Sequence, residues 1–311
     1  MIDPIAERTW KATRTVAKCP ACESISFHST GPVAPGFAAT IDSENFEQPD
    51  YAVRECSDCG LLYRDRTFSE EDLDRYYAKV DFRKWDFSGY HPTEHRVLET
   101  LRQLPRTSRI LDFGCSSGRL LAELCADYQC YGVEVNESAA KEAARKGIQI
   151  LARDDSNLRN FDAIVLVDLF EHTSQPLDFL RRLLRSLSDN GRLIIATGNG
   201  DAPACRRDPA QFWYFRTVEH LCMLTPKHAE FICSALSLRI EQWTELSHYD
   251  LSWREKLVQR LQGFVYWQFH HRTLLARTVL KFLPGMDRLK TGDVAPAYTC
   301  SRDHVVAVFR R

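Results

Sequence analysis

The sequence predicts an α/β fold: a doubly wound parallel sheet, joined to a small N-terminal head and interrupted by a helical insert before its last strand. Three observations carry this. From Arg109 onward, short apolar β-runs alternate with helical stretches, the pattern of a parallel sheet covered on both faces. The first of these runs leads straight into a glycine turn, LDFGCSSG, Leu111 to Gly118. Ahead of it, residues 1–67 are rich in Gly, Pro, Ser and Cys, show weak periodicity and hold two CxxC pairs.

The head is expected at 1–67, a helical connector and lid at 68–107, and the main domain at 108–311 with its insert at about 251–290. SEEDLDRYYAKV (Ser69 to Val80) reads as a helix, with Ser69 as N-cap and acids in the first turn. HPTEHRVLETLRQL (His91 to Leu104) is a second amphipathic helix, closed by Pro105. RILDFG is then a strand, SGRLLAELCADY a helix and CYGVEV a strand. ESAAKEAARKG is a helix that stops at Gly147. IQILA, FDAIVLV and GRLIIAT are further strands, with QPLDFLRRLLRSL as the helix before the last of them. SLRIEQWTE and HVVAVFRR supply two more.

Composition narrows the function. With 311 residues, 44% hydrophobic and 27% charged, the chain suits a globular protein of one large domain plus an addition, or two modest domains. Its 41 basic and 42 acidic residues nearly cancel, so the molecule as a whole does not attract nucleic acid. No run approaches the ~20 apolar residues of a membrane span, and MIDPIAERTW lacks the pattern of a secretory signal. Eleven cysteines without such a signal point to a reducing compartment, so the expected location is the cytoplasm.

The glycine turn identifies a ligand. A dinucleotide fingerprint needs GxGxxG, but Ser116 stands where the second glycine would fall, and no GK[ST] of an ATP loop follows. Asp112 places a carboxylate at the strand end, which suits a cation better than a phosphate. Glu134, at the tip of the next strand in YGVEV, can accept both ribose hydroxyls of a nucleoside. A ligand with a ribose, a positive charge and no phosphate is S-adenosylmethionine.

At these motifs the chain resembles the class I S-adenosylmethionine-dependent methyltransferases. LDFGCSSG matches the glycine loop, YGVEV the ribose acid, and FDAIVLVDLFEH the fourth strand and its exit, within roughly Pro92 to Phe309. The resemblance implies a Rossmann-like methyltransferase sheet. It makes Gly114 and Gly118 the backbone cradle for the methionyl and ribose portions, with Asp112 and Cys115 beside them. Cys115 itself reads as a small buried thiol rather than a nucleophile. Asp154 in LARDDSNL matches the acid that meets the adenine, with Asp155 as its close alternative, and Asp168 and Leu169 lie against the cofactor. The family loop usually reads GxGxG, and Ser116 departs from it.

Methyl transfer is an in-line displacement that often needs a base. Glu171 and His172, in DLFEH, are candidates to face the open side of the sulfonium, and histidine titrates near neutrality. His220, in FWYFRTVEHLCMLTP, is a further candidate, matching a histidine that family members carry before the helix preceding the last strands.

CPAC (Cys19, Cys22) and CSDC (Cys56, Cys59) form two knuckles whose four thiolates suit tetrahedral structural Zn2+. Zinc heads on methyltransferases resemble two settings: enzymes acting on nucleotide-linked sugars and other small polar acceptors, and ribosomal RNA methyltransferases. The head is not notably basic, which favours a small polar biosynthetic acceptor. An RNA methyltransferase and a non-catalytic cofactor-binding protein are the alternatives. The insert holds eight Lys or Arg and two acids from Arg254 to Lys290. It fits a packed helix with a solvated basic face, a substrate or dimer helix, a membrane-surface helix, or an RNA grip.

Overall fold

The computed structural model describes residues 9–11, 14–32, 39–41, 44–47, 51–80, 89–217, 219–282, 284–285, 287–290, 296 and 302–311. In the head, strands β1 (Phe27–Pro32), β2 (Ala52–Cys56) and β3 (Leu62–Arg64) pair antiparallel. Between the knuckles, Ala39–Ile41 pairs antiparallel with Glu44–Glu47, and residues 33–38, 42–43 and 48–50 lie outside the described residues. Helix α1 (Glu70–Lys79) starts where Ser69 Oγ accepts from the Asp72 N–H at 3.1 Å. Helix α2 (Pro92–Leu101) opens with a capping box in which Glu94 accepts from the His91 N–H at 2.7 Å.

The main domain follows as β4 (Arg109–Phe113), β5 (Gln129–Val133), α3 (Glu137–Arg145), β6 (Gln149–Ile150), β7 (Phe161–Val167), α4 (Pro176–Leu183) and β8 (Leu187–Gly198). The chain continues through β9 (Cys222–Met223), α5 (Pro226–Leu236), β10 (Arg239–Leu246), α6 (Trp253–His270) and β11 (His304–Arg310). Seven of these strands form one sheet in the order β6-β5-β4-β7-β8-β11-β10. The first five run parallel, and β11 is antiparallel to both neighbours. Strand order reverses between β4 and β7, which opens a crevice beyond their carboxyl ends.

Alternation along the strands sends apolar residues to both faces. Ile110, Val165 and Ile194 pack under α2 and α3, while Leu111, Ile164 and Leu193 pack under α4 and α5. The second face also receives Cys19, Cys56, Cys59, Leu61 and Tyr63, so the head shares the core of the sheet. Strand β9, from the main domain, pairs with β3 and completes the head's sheet.

One predicted element differs. SGRLLAELCADY forms successive turns with a short 3₁₀ segment at Ala122–Leu124 instead of an α-helix. Gly118, at φ +74°, sits so close to α3 that a Cβ would lie 2.8 Å from Ala143 Cβ. That contact draws the loop in, and the following N–H groups bond to carbonyls both three and four residues back.

Candidate active site

The crevice is a cleft of about 1390 Å³ walled by α1, α2, the β4 loop, the ends of β5 and β7, the segment 213–220 and the residues ahead of α6. At its base lies the glycine loop. Gly114 has φ +85° and Ser116 has φ +46°, so the serine adopts the left-handed backbone that glycine takes at little cost. What holds it there is Glu134: one carboxylate oxygen accepts from the Ser116 N–H at 2.9 Å and the other from the Asn136 N–H at 2.7 Å. The carboxylate is thereby fixed at the strand tip, with lone pairs left for two hydroxyls. Burial pushes the Asp112 carboxyl up to about 7, aided by the neighbouring Glu134 and Glu94. A buried acid of this kind favours a cationic ligand that restores its charge.

Cys115 turns into the core, over Gly132, where a Cβ would come within 2.4 Å of its sulfur. Burial raises its thiol well above the ordinary range, which makes it inert. Asp154 is exposed and Asp155 half-buried, its Oδ1 accepting from the Asn157 N–H at 2.7 Å. From this segment it is Arg153 and Leu158 that line the cleft. Asp168 and Leu169 do line it, and Asp168 has φ +48°, strain of the kind that accumulates at functional sites.

Glu171, His172 and His220 converge, their ligand-type atoms all within 4.8 Å of one another. Glu171 is buried beneath the cleft rather than facing it; Thr197 donates to it at 2.6 Å, as does the Tyr214 hydroxyl. Above it the rings form a ladder: Tyr77 stacks on His172 at 5.4 Å, His172 on His220 at 5.3 Å, and His220 lies tilted against Tyr214 at 3.9 Å. Burial lowers both histidines, so they are neutral near pH 7. His220 Nδ1 lies 2.6 Å from the Tyr214 carbonyl oxygen. A carbonyl only accepts, so Nδ1 carries the hydrogen and Nε2 keeps its lone pair.

The head positions this loop. Arg64, buried in β3, donates to the carbonyls of Phe215, at 2.7 Å, and Thr217, and the Tyr51 hydroxyl also donates to Phe215. The second knuckle docks on the start of α5: Thr225 donates to the Gly60 carbonyl at 2.8 Å and Lys227 to that of Ser57 at 2.6 Å. In the knuckles themselves the four sulfurs of Cys19, Cys22, Cys56 and Cys59 lie within 4.8 Å of one another, with cross pairs at 3.5 and 3.4 Å. Tetrahedral Zn–S bonds of about 2.3 Å imply sulfur separations of roughly 3.8 Å, so the donor set fits zinc with little adjustment.

Sequence reasoning missed a second histidine array. His91 stacks on His248 at 4.2 Å and His248 lies tilted against His304 at 4.4 Å, all three on the cleft lining, with His304 edge-on to Tyr214 at 5.2 Å. His304 lies 3.5 Å from Asp303 and 3.9 Å from Asp168. Burial opposes its charge, but Asp303, Asp168 and Glu171 outweigh that and raise it. The three histidines come from the cap of α2, the loop after β10 and the start of β11, so no local pattern could unite them.

A family model described as a methyltransferase domain matches residues 70–242, more than half of the chain. The chain belongs to that family: it is a methyltransferase, and its methyl donor is S-adenosylmethionine. Among curated relatives it is similar to the ubiquinone biosynthesis O-methyltransferase of Xanthomonas axonopodis pv. citri, 27% identical over 51% of this chain and 72% of the relative. The protein of that name in Xanthomonas campestris pv. campestris strain B100 is 25% identical over 70% and 93%. Among solved structures it is similar to a chain of the Haloferax volcanii complex of the Trm112 methyltransferase activator with a methyltransferase, at TM-score 0.47 and 13% identity over 77% and 97%. A TehB-like SAM-dependent methyltransferase from Corynebacterium glutamicum gives TM-score 0.41 and 16% identity over 77% and 96%.

Proposed function

We propose that this enzyme methylates a hydroxyl of a small polar biosynthetic acceptor, with His220 taking the hydroxyl proton on Nε2. S-adenosylmethionine supplies the methyl group by displacement at its sulfonium. Asp112, Gly114, Gly118, Glu134, Asp168 and Leu169 would hold it, with Glu134 on the ribose hydroxyls. The observation that carries the reading is the neutral, tautomerically fixed His220, tilted against Tyr214 at the cleft wall. Its lone pair is available at neutral pH, and the Tyr214 carbonyl that accepts from Nδ1 favours the imidazolium that forms. His172 spaces the ring from Tyr77, and Glu171 orients the group through Tyr214. The activity named for the relatives, O-methylation in ubiquinone biosynthesis, supports a hydroxyl acceptor. A nucleotide-linked sugar is favoured by one feature, the cationic side chains of Arg153 and Arg182 on the cleft lining, which suit phosphate. Zn2+ on the four cysteines would be structural and would support the His220 loop from behind.

Purified enzyme with methyl-labelled cofactor and a cell extract fractionated into small molecules, RNA and protein tests this. Label should enter the small-molecule fraction. His220→Gln should lower kcat by about 10²-fold or more, with cofactor affinity unchanged. Label in RNA would overturn the acceptor class, and cofactor binding with no transfer into any fraction would favour a non-catalytic protein.

A further inference from the structure

The helical insert presents an apolar stripe that the body of the protein does not cover. On α6, Trp253 is 70% exposed, Leu257 58%, Leu261 45% and Phe264 45%. At about 100° per residue these four fall within roughly an 80° arc of the helix. Lys256 and Arg260 fall on one side of that arc and Arg254 on the other. The helix has one acid, Glu255, which lies opposite the stripe and is occupied by the Ser252 cap, accepting from its N–H at 2.8 Å. The helix is seated by its other end, where Gly263, Val265, Tyr266 and Gln268 are buried and Tyr266 donates to Gln211 at 3.0 Å. Beyond it, Leu274, Val279 and Phe282 are 75%, 60% and 75% exposed, interleaved with Arg272, Arg277 and Lys281.

An apolar row flanked by long cationic side chains is the arrangement of a helix lying in a lipid interface. There the row enters the acyl boundary while Lys and Arg reach phosphate headgroups. Among the described residues no helix is long and apolar enough to cross a membrane, so the contact is with a surface. RNA would reward the cations but not the exposed leucines. A second copy of the chain would bring like charges together. We propose that α6 and the segment after it dock this enzyme on anionic lipid bilayers. Tyr249, Asp250 and Leu251, which line the cleft, directly precede the Ser252 cap, so the docking surface adjoins the cleft mouth.

Flotation with vesicles of phosphatidylcholine, with and without 30% phosphatidylglycerol, tests the proposal on the full chain without any turnover, independently of the methyl acceptor. Binding to the anionic vesicles should be at least tenfold tighter than to the neutral ones and should weaken with salt. Leu257→Glu with Leu261→Glu should abolish it, and Arg254→Glu with Arg260→Glu should reduce it at least tenfold, while cofactor affinity and the circular dichroism spectrum stay as in the parent. Absence of binding at low salt would overturn it. So would equal binding to neutral vesicles, a dimer in light scattering that the leucine substitutions dissociate, or RNA binding that the vesicles do not displace.

Discussion

The head and the insert are both additions to the same sheet, and they are built in opposite ways. The head is poor in periodic pattern, yet it buries Leu61, Leu62 and Tyr63 completely or nearly so and commits a fully enclosed arginine to the loop that leads to His220. The insert is strongly helical, with an 18-residue helix and a full capping box, yet it leaves its large apolar side chains in solvent. Local regularity therefore says little about integration. What integrates an element is whether its polar groups find partners in the body. The knuckle carbonyls of Ser57, Cys59 and Gly60 meet Lys227, His228 and Thr225, whereas α6 is joined to the body by the Tyr266 hydroxyl at its far end.

The largest effect that could break this contrast is loss of the four-cysteine site proposed to hold Zn2+. Cys56→Ser with Cys59→Ser, or chelation, should destabilise the whole chain, because the knuckles lie in the core cluster of the sheet. Structural zinc contributes on the order of 10 kcal/mol in isolated fingers, comparable to the total stability of a domain. Scanning calorimetry with metal analysis should show one zinc per parent chain, and a single transition lowered by well over 10 °C once the site is lost. Two separate transitions, with the lower one alone sensitive to chelator, would make the head a pendant module. Leu257→Gln in the insert, by contrast, should change stability by no more than about 0.5 kcal/mol.

Next in size is Arg64. Burial disfavours its charge, and it is retained by the carbonyls of Phe215 and Thr217 and by Tyr51, over whose ring it lies at 4.4 Å. Arg64→Met should cost about 2–4 kcal/mol, since it removes both guanidinium hydrogen bonds and takes the arginine's donor from the Thr217 carbonyl, while Phe215 keeps the Tyr51 hydroxyl. If the head positions the catalytic loop, kcat should fall about tenfold further than KM changes, and Arg64→Lys should recover part of it. Urea denaturation and steady-state kinetics on the same preparations separate the two. Lost stability with unchanged kcat would confine the arginine to packing.

Much of this was legible in the sequence, for definable reasons. The strands declared themselves because both faces of a parallel sheet demand apolar side chains, and Gly114, Glu134 and the cysteine spacings each report a backbone or ligand constraint that is local. The depth of Glu171 was not legible: a carboxylate in DLFEH reads as facing the cleft, and only Thr197 and Tyr214, arriving from elsewhere, let it sink below. Nor was the union of head and sheet, which rests on the two-residue strand β9. The helix expected after the glycine loop failed because close packing of Gly118 on α3 outweighed the helical propensity of its leucines and alanine.

A third prediction concerns Asp112, which belongs to neither addition and so provides the baseline for both. Its carboxyl is pushed up to about 7 in the folded protein, from an unfolded value near 4. The folded state then binds more protons than the unfolded one between these values, so stability without cofactor should fall as pH rises from about 4 to about 7. The slope is at most about 1.4 kcal/mol per pH unit, and Asp112→Asn should flatten it. A cationic cofactor favours the ionised carboxylate, so its binding should release a proton and tighten with rising pH, by up to about tenfold per unit below 7. Calorimetric titration in buffers of different ionisation enthalpy reads that proton directly. The leucine substitutions in α6 should leave the profile unchanged, because Leu257 and Leu261 lie on the exposed face of α6, away from the cleft lining that holds Asp112. An unchanged profile in Asp112→Asn would assign the titration to another group in the cleft, with Asp168, whose carboxyl burial pushes up to about 6, as the first to substitute.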